Sequence, residues 1–487
     1  MTERKEGLAE GAGEEAQPVS CAALSRAELS RAERVALGKE ARKAAPLEAH
    51  GEFRPDSGRD PVGLLLSQAG SRVPELVPVR HGRMLVSPFT YYRGAALPMA
   101  ADLAATPTSG LRVQLCGDAH LSNFGAFASP ERRLVFDVND FDETLPGPFE
   151  WDVKRLAASL AVAGRDNGFS DKARRAVILA AVKAYRKATR RFAKQSVLAV
   201  WYAHLDIEEA IGEFRSQVKA KGFRAAEALL AKARTRDSTQ ALGKLTSLVD
   251  GRRQIVSVPP TIVPVEELYS DMQADAIYEL IRTVLTTYRD TLQSDRRHLL
   301  DQFTLVQMAR KVVGVGSVGT RAWIVLMDAE EGVDPLFLQA KEAQPSVLAE
   351  YAGRSRFGNE GERVVAGQHL MQAQSDIFLG WTRAAAPDGV DRDFYVRQLR
   401  DWKFSAPIEM MIPSGMKVYG TLCGWTLARA HARSGDRVAL AAYLGGSDRF
   451  DQAVADFAEV YADQNEDDFA ALQAAVKGGK TKALAGI

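Results

Sequence analysis

The chain has 487 residues, 46% of them apolar and 26% charged. That balance excludes a wholly disordered chain, a collagen and a disulfide scaffold, and at roughly 150 residues per domain it predicts two to three domains. Lys and Arg number 63 against 62 Asp and Glu, a net charge of +1, which gives no specific nucleic-acid signal.

Cys21, Cys116 and Cys423 form no CxxC pair and suit a reducing compartment. The opening MTERKEGLAEGAGEE lacks the apolar run of a secretory signal. No apolar run reaches the about 18 residues of a membrane span. A cytoplasmic location and no membrane partner are therefore expected.

In chain order, residues 1–22 read as a flexible tail and 23–104 as a helical extension. Within the extension, 25–45 carries helix-start residues and dense Arg, Lys and Ala, so it reads as a surface helix. Pro61 opens a second helix. Arg80, Arg83 and Arg93 follow among aromatic residues; they either pair with acidic groups downstream or bind substrate. Segment 111–143 changes character: RVQLCGDAHLSNFGAF reads as strand then loop, and RRLVFDVNDFDE as a short strand entering an acidic turn.

From 150 to about 235 the pattern is helical, with Ile178, Val182, Tyr185 and Phe192 on one stripe. Lys183, Arg186, Lys187, Arg190 and Lys194 form an opposite, solvated basic face. Residues 249–266 read as a Pro-rich connector and 268–295 as a helix. KVVGVG, TRAWIVLM and PLFLQAK predict three strands between 309 and 341. A helix at 360–376, strands near 378–383 and 394–399, and helices at 416–434 and about 450–475 complete the chain. This order predicts an α+β fold with a segregated sheet.

The strongest chemical signal is CGDAHLSN followed by Asp137, Asn139, Asp140 and Asp142. Metal-assisted phosphoryl transfer uses such a kit. One carboxylate, Asp118, orients or takes a proton from the nucleophile. A neutral amide, Asn123, and a second carboxylate, Asp140, hold Mg²⁺ through oxygen, with Asp142 as a second contact. His120 fits a positioning role beside Asp118.

A second signal is the glycine-rich run with Gly314, Gly316, Ser317 and Gly319. A strand pattern follows it rather than a helix, which rejects a dinucleotide fingerprint. A hairpin covering phosphates fits better, with Lys341 on a later strand reaching the α and β phosphates. The carboxylate partner of Lys341 is expected on the next helix, where Glu350, Glu360 and Glu362 are candidates and the amide of Gln368 or Gln372 could substitute. Tyr395 to Leu399 would precede a hinge, with 400–403 near an adenine slot.

CGDAHLSN resembles the HGDxHxxN catalytic loop of aminoglycoside and choline phosphotransferases, which are kinase-like enzymes. NDFDE resembles their metal-binding IDF or IDW element, and PGPFEWDVKRLA, with Asp152, their "DP…DLA" segment. Cys116 stands where those families carry His. Here the glycine run and lysine follow the catalytic loop instead of preceding it. YGTLCGWTLARAHARSGD (419–436) resembles the helix that leads into that loop. A circular permutation explains both. Over roughly 60–475 the chain also resembles a bacterial family of uncharacterised proteins classed as a domain of unknown function. RMLVSPFTYYRG, GDAHLSNFG, NDFDETLPGPFEWD, GVGSVGT and AHARSGD carry that likeness.

The resemblance implies a two-lobed, circularly permuted kinase-like fold. Residues 105–302 and 404–487 would form the larger lobe and 303–403 the smaller, β-rich one. ATP and Mg²⁺ would bind between them for phosphoryl transfer to a hydroxyl of a small molecule or protein. Nucleotidyl transfer, a nucleotide-binding pseudokinase-like regulator and an ATP-independent metal phosphoesterase are the alternatives.

Overall fold

A computed structural model describes residues 29–486, except 209–230, 232–233, 236–237, 250–251, 270–273, 331–332, 386–388 and 400–401. The N-terminal tail expected at 1–22 and part of the helical run before 235 lie outside the described residues.

The first five helices are α1 (Arg31–Ala44), α2 (Pro61–Ser67), α3 (Val77–Met84), α4 (Pro88–Gly94) and α5 (Ala96–Ala104). Their starts follow from local chemistry. Ser30 and Ser87 close capping boxes, Asp60 caps α2, and a proline occupies the first turn of α2, α3 and α4. Two short ladders come next: β1 (Arg112–Leu115) pairs with β4 (Leu145–Pro148), and β2 (Phe124–Ala128) with β3 (Leu134–Val138).

The helical core holds α6 (Phe149–Asp166) and α7 (Asp171–Phe192), followed by α8 (Val197–Tyr202) and α9 (Ser238–Leu245). Phe149 to Gly164 of α6 are buried without a break, as expected of a helix surrounded by other elements.

A six-stranded antiparallel sheet follows. Its strands are β7 (Ile262–Pro264), β8 (Thr304–Lys311), β9 (Ala322–Asp328), β10 (Pro335–Ala343), β11 (Gly380–Ala385) and β12 (Asp391–Gln398), in the order β11-β12-β10-β9-β8-β7. A separate hairpin, β5 (Thr246–Val249) with β6 (Arg252–Ile255), precedes it in sequence. α10 (Val265–Leu268), α11 (Ala274–Asp290) and α12 (Ser294–Leu300) lie between β7 and β8. Tyr288 of α11 packs with Val325, Leu338 and Val396 of the sheet, and Ile277 and Ile281 with Trp323 and Phe394. α13 (Ala349–Ala352) and α14 (Glu360–Met371) connect β10 to β11. The chain ends in α15 (Pro413–Ser434), α16 (Arg437–Leu444) and α17 (Arg449–Lys477). α15 packs along α7, and α17 along α6.

The fold is therefore a mixture of helix and sheet, as α+β predicts. Among the described residues no helix is long and apolar enough to cross a membrane.

Three local expectations are corrected. The strand at KVVGVG lies upstream, at Thr304–Lys311, and the glycine run is the turn into β9. The Pro-rich connector supplies β6 and the edge strand β7, where Pro264 is tolerated. On α7, Arg186 leaves the solvated face: it is 4% exposed and its guanidinium meets Asp451 at 2.7 Å.

Candidate active site

The ladder β1–β4 sets Leu115 opposite Leu145, and β2–β3 sets Phe124 opposite Val138. The loop 116–123 and the turn 139–144 therefore emerge side by side. The amide of Asn139 donates to the Asn123 carbonyl at 2.9 Å, locking the two together. Gly117 is required here: its φ is +84°, and a side chain would strike the Glu143 carbonyl.

Asp118, His120, Asn123, Asp140 and Asp142 all line one cleft of about 570 Å³. Gly314, Gly316 and Ser317, from the β8–β9 turn, line the same cleft. Gly319 is not part of the lining; its carbonyl accepts the Val73 N–H at 2.8 Å. Two motifs far apart in sequence thus share one space.

Asp118 is held from one side. Its Oδ1 accepts from Nε and Nη2 of Arg155, at 2.8 and 2.7 Å. His120 Nε2 stands 3.6 Å from its Oδ2. Burial raises the Asp118 carboxyl above the usual carboxylate range, while Arg155 pulls it back. Burial, with Arg93 and Arg155 nearby, keeps His120 neutral well below its ordinary value. The Asn123 amide nitrogen donates to the Asp118 carbonyl at 2.8 Å, which fixes its rotamer.

Lys341 lies on β10, in register with Tyr395 of β12 and Ala322 of β9. Its ammonium reaches Asp142 Oδ2 at 2.6 Å and Asp140 Oδ1 at 3.8 Å. The Tyr395 hydroxyl donates to the other Asp142 oxygen at 2.6 Å. Burial alone would lower the ammonium, but Asp140 and Asp142 raise it above its ordinary value. Burial likewise opposes ionisation of Asp142, yet Lys341 and Tyr395 hold that carboxyl below the usual range. Burial, then the Asp142 charge, raises Asp140. Burial pushes neighbouring Glu143 up to about 7.

The expected partner on the next helix is corrected: Lys341 pairs with the acidic turn, not with α14. Glu360 is taken by Arg363, and Gln368 donates to Gln372, which donates to the Val138 carbonyl. Glu350 lines the cleft, but Lys341 is committed to the two aspartates. Its strand lies over the 140–142 turn, so the side chain meets those carboxylates first.

The sequence singled out Asp152 by resemblance but not what it holds, and it missed Arg155 altogether. Asp152 on α6 accepts the N–H of Cys116 and of Gly117, at 2.8 and 3.0 Å, and faces His431 Nε2 at 3.2 Å. Arg155 follows one helical turn later; only the spacing from Asp152 could have pointed to it. Arg80 bonds the Gly94 carbonyl and Arg83 the Gly314 carbonyl. A second cavity of about 270 Å³ is lined by Asn139, Gln339, Arg397, Leu399 and Lys403. Arg397 bridges to the Asn139 carbonyl at 3.1 Å there, and burial beside Arg397 pushes Lys403 down to about 8.

Among the described residues, no group of three or more His, Cys, Asp or Glu side chains is arranged to hold a metal ion alone. Residues 72–475 match the model of a family described as an uncharacterized protein conserved in bacteria (DUF2252). No curated protein and no solved structure matches the chain.

Proposed function

The chain belongs to that bacterial family, whose description names no activity, and from the cleft itself we propose an ATP- and Mg²⁺-dependent phosphotransferase acting on a hydroxyl. Its fold would be two-lobed and kinase-like, with the sequence order circularly permuted. One observation carries this reading: Asp118, Asn123 and Asp140 share a cleft with the turn Gly314–Ser317. Lys341, on the third of three consecutive antiparallel strands, reaches into the same acidic turn. A glycine turn above phosphates, a strand lysine, a catalytic aspartate and an asparagine with a metal-binding aspartate are the parts of kinase-type phosphoryl transfer.

The residues fit Mg²⁺ held jointly with a nucleotide. This ion takes one or two protein oxygens and keeps the rest for phosphate and water. Asp140 would supply one carboxylate and the amide oxygen of Asn123 another ligand, because the Asn123 nitrogen is committed to the Asp118 carbonyl. Bound Mg-ATP would supply the transferable phosphoryl group and neutralise its charge.

The chain's own residues then have separate tasks. Arg155 occupies Asp118 Oδ1, so Oδ2 is left to accept the proton of the acceptor hydroxyl. A general base of this kind is worth roughly 10²–10⁴-fold. Lys341, now paired with Asp142, would exchange part of that contact for the α and β phosphates. The base would enter the second cavity beside Asn139, whose chain neighbour Asp140 belongs to the first.

The test is calorimetric titration of ATP with and without Mg²⁺, using wild type, Asp140→Ala and Lys341→Ala. Mg²⁺-dependent binding, weakened about tenfold or more by each change, supports the reading. Folded wild type that binds no ATP at millimolar concentration overturns it.

A further inference from the structure

Three arginines of the N-terminal extension line the same cleft: Arg72, Arg80 and Arg93. Among the described residues none of them has a carboxylate at ion-pair distance, and each keeps a buried Nε without a partner. Arg72 and Arg80 are 8% and 1% exposed. Gathering buried like charges without counter-charges is costly. Burial pushes the Arg72 guanidinium down to about 10, and burial with the Arg72 charge lowers Arg80 as well.

Most of the neighbouring acids are already engaged. Asp118 is paired with Arg155, Asp142 with Lys341 and Glu342 with Arg321, and burial pushes Glu143 up to about 7. Together with Glu143 and Asp140 they offset the burial of Arg72 and Arg93 only in part, and both guanidiniums stay below their ordinary value.

The three arginines are not equivalent. Arg80 is fixed in place, donating to Gln68 Oε1 at 2.7 Å and to the Gly94 carbonyl at 2.9 Å. Arg72 donates to the Val318 carbonyl of the glycine turn. Arg93 alone has no hydrogen-bond or ion-pair partner among the described residues. Its carbonyl lies against Gly316, where a side chain would approach it to 3.0 Å. Its charge acts on Asp118 and on His120. Arg93 thus stands where the glycine turn meets the catalytic loop. A guanidinium fork there matches the oxygens of a phosphate group.

We propose that Arg93, whose chain neighbour Gly94 is pinned by Arg80, is the seat of a phosphate dianion in this cleft. The group is either the terminal phosphate of the nucleotide or a phosphate carried by the acceptor. Only that choice rests on the phosphotransferase reading; the seat itself does not.

The probe is inorganic phosphate, titrated calorimetrically into the full chain. Wild type, Arg93→Ala and Arg93→Lys are compared, with thermal melting to verify folding. Wild type binds phosphate, Arg93→Ala weakens binding about tenfold or more, and Arg93→Lys recovers part of it. The titration is repeated with Mg²⁺ and a non-hydrolysable ATP analogue bound. Competition assigns the seat to the nucleotide's terminal phosphate, and simultaneous binding assigns it to the acceptor; both support it. Phosphate binding by a chain that binds no ATP overturns the phosphotransferase reading and leaves the seat standing. The proposal fails if folded wild type binds no phosphate, or if folded Arg93→Ala and Arg93→Lys both bind it as wild type does.

Discussion

Arg155 decides how Asp118 can act. Two guanidinium nitrogens meet one carboxylate oxygen, which orients the other and offsets the rise in pKa caused by burial. Removing that cation raises the carboxyl further. In Arg155→Gln the acidic limb of the pH–rate profile therefore moves to higher pH, while the basic limb stays. An unchanged acidic limb would show that Asp118 ionisation does not govern turnover. A second residue makes a prediction about stability. Lys154 is fully buried on α6; among the described residues its ammonium has no hydrogen-bond partner, and it lies 4.7 Å from the centre of the Phe457 ring. Burial lowers it to about 8 from an ordinary 10.5. Between those values the unfolded chain binds more protons, so stability rises with pH; below about 8 the full cost is present. Lys154→Met should add up to about 3 kcal/mol at pH 7 and less at pH 10, measured by urea unfolding. Equal gains at both pH values would contradict this. Asp118, Asn123, Asp140 and Lys341 were legible because acids and a lysine bounded by strands and glycines are unusual. Arg155 and Tyr395 were not: an arginine within a helix or a tyrosine within a strand looks like any other until its partner is placed.

At the scale of elements, the loop 116–123 is held by a helix rather than by its own strand. Asp152 on α6 takes two backbone N–H groups of the loop and faces His431 on α15. Asp152→Ala leaves buried donors without acceptors and should cost roughly 2–5 kcal/mol, read as a lower urea midpoint with unchanged slope. A loss below 1 kcal/mol would mean that water or a rotated side chain replaces the carboxylate. The glycine turn is pinned similarly from outside: Arg72, Val73 and Arg83 bond Val318, Gly319 and Gly314. The strands around it were legible from their Val, Ile and Leu runs. The turn itself was misread in part because valines alternate with its glycines, which imitates a strand. β6 and β7 escaped notice because strands of three or four residues carry little periodicity; pairing with a neighbour defines them.

At the scale of the whole molecule, spatial order and sequence order part company. α15 ends against the strand that leads into the loop 116–123: the Gln114 N–H donates to Ser434 Oγ at 3.2 Å. Residues more than 300 positions apart in the chain thus stand where the proposed permutation would make them consecutive. Family membership and the mixed helix–sheet character were legible from motifs and periodicity. The arginine cluster was not, because Arg72, Arg80 and Arg93 converge only when α3 and α4 pack beside the glycine turn. In the proposed function one nucleotide bridges the two distant motifs. A crystal structure of the full chain with Mg²⁺ and a non-hydrolysable ATP analogue would show whether it does. Phosphates are expected beneath Gly314–Ser317, within reach of Lys341, with Mg²⁺ between them, Asp140 and Asn123. A nucleotide bound elsewhere, or Mg²⁺ on the acidic turn with no nucleotide beside it, would overturn the phosphotransferase reading.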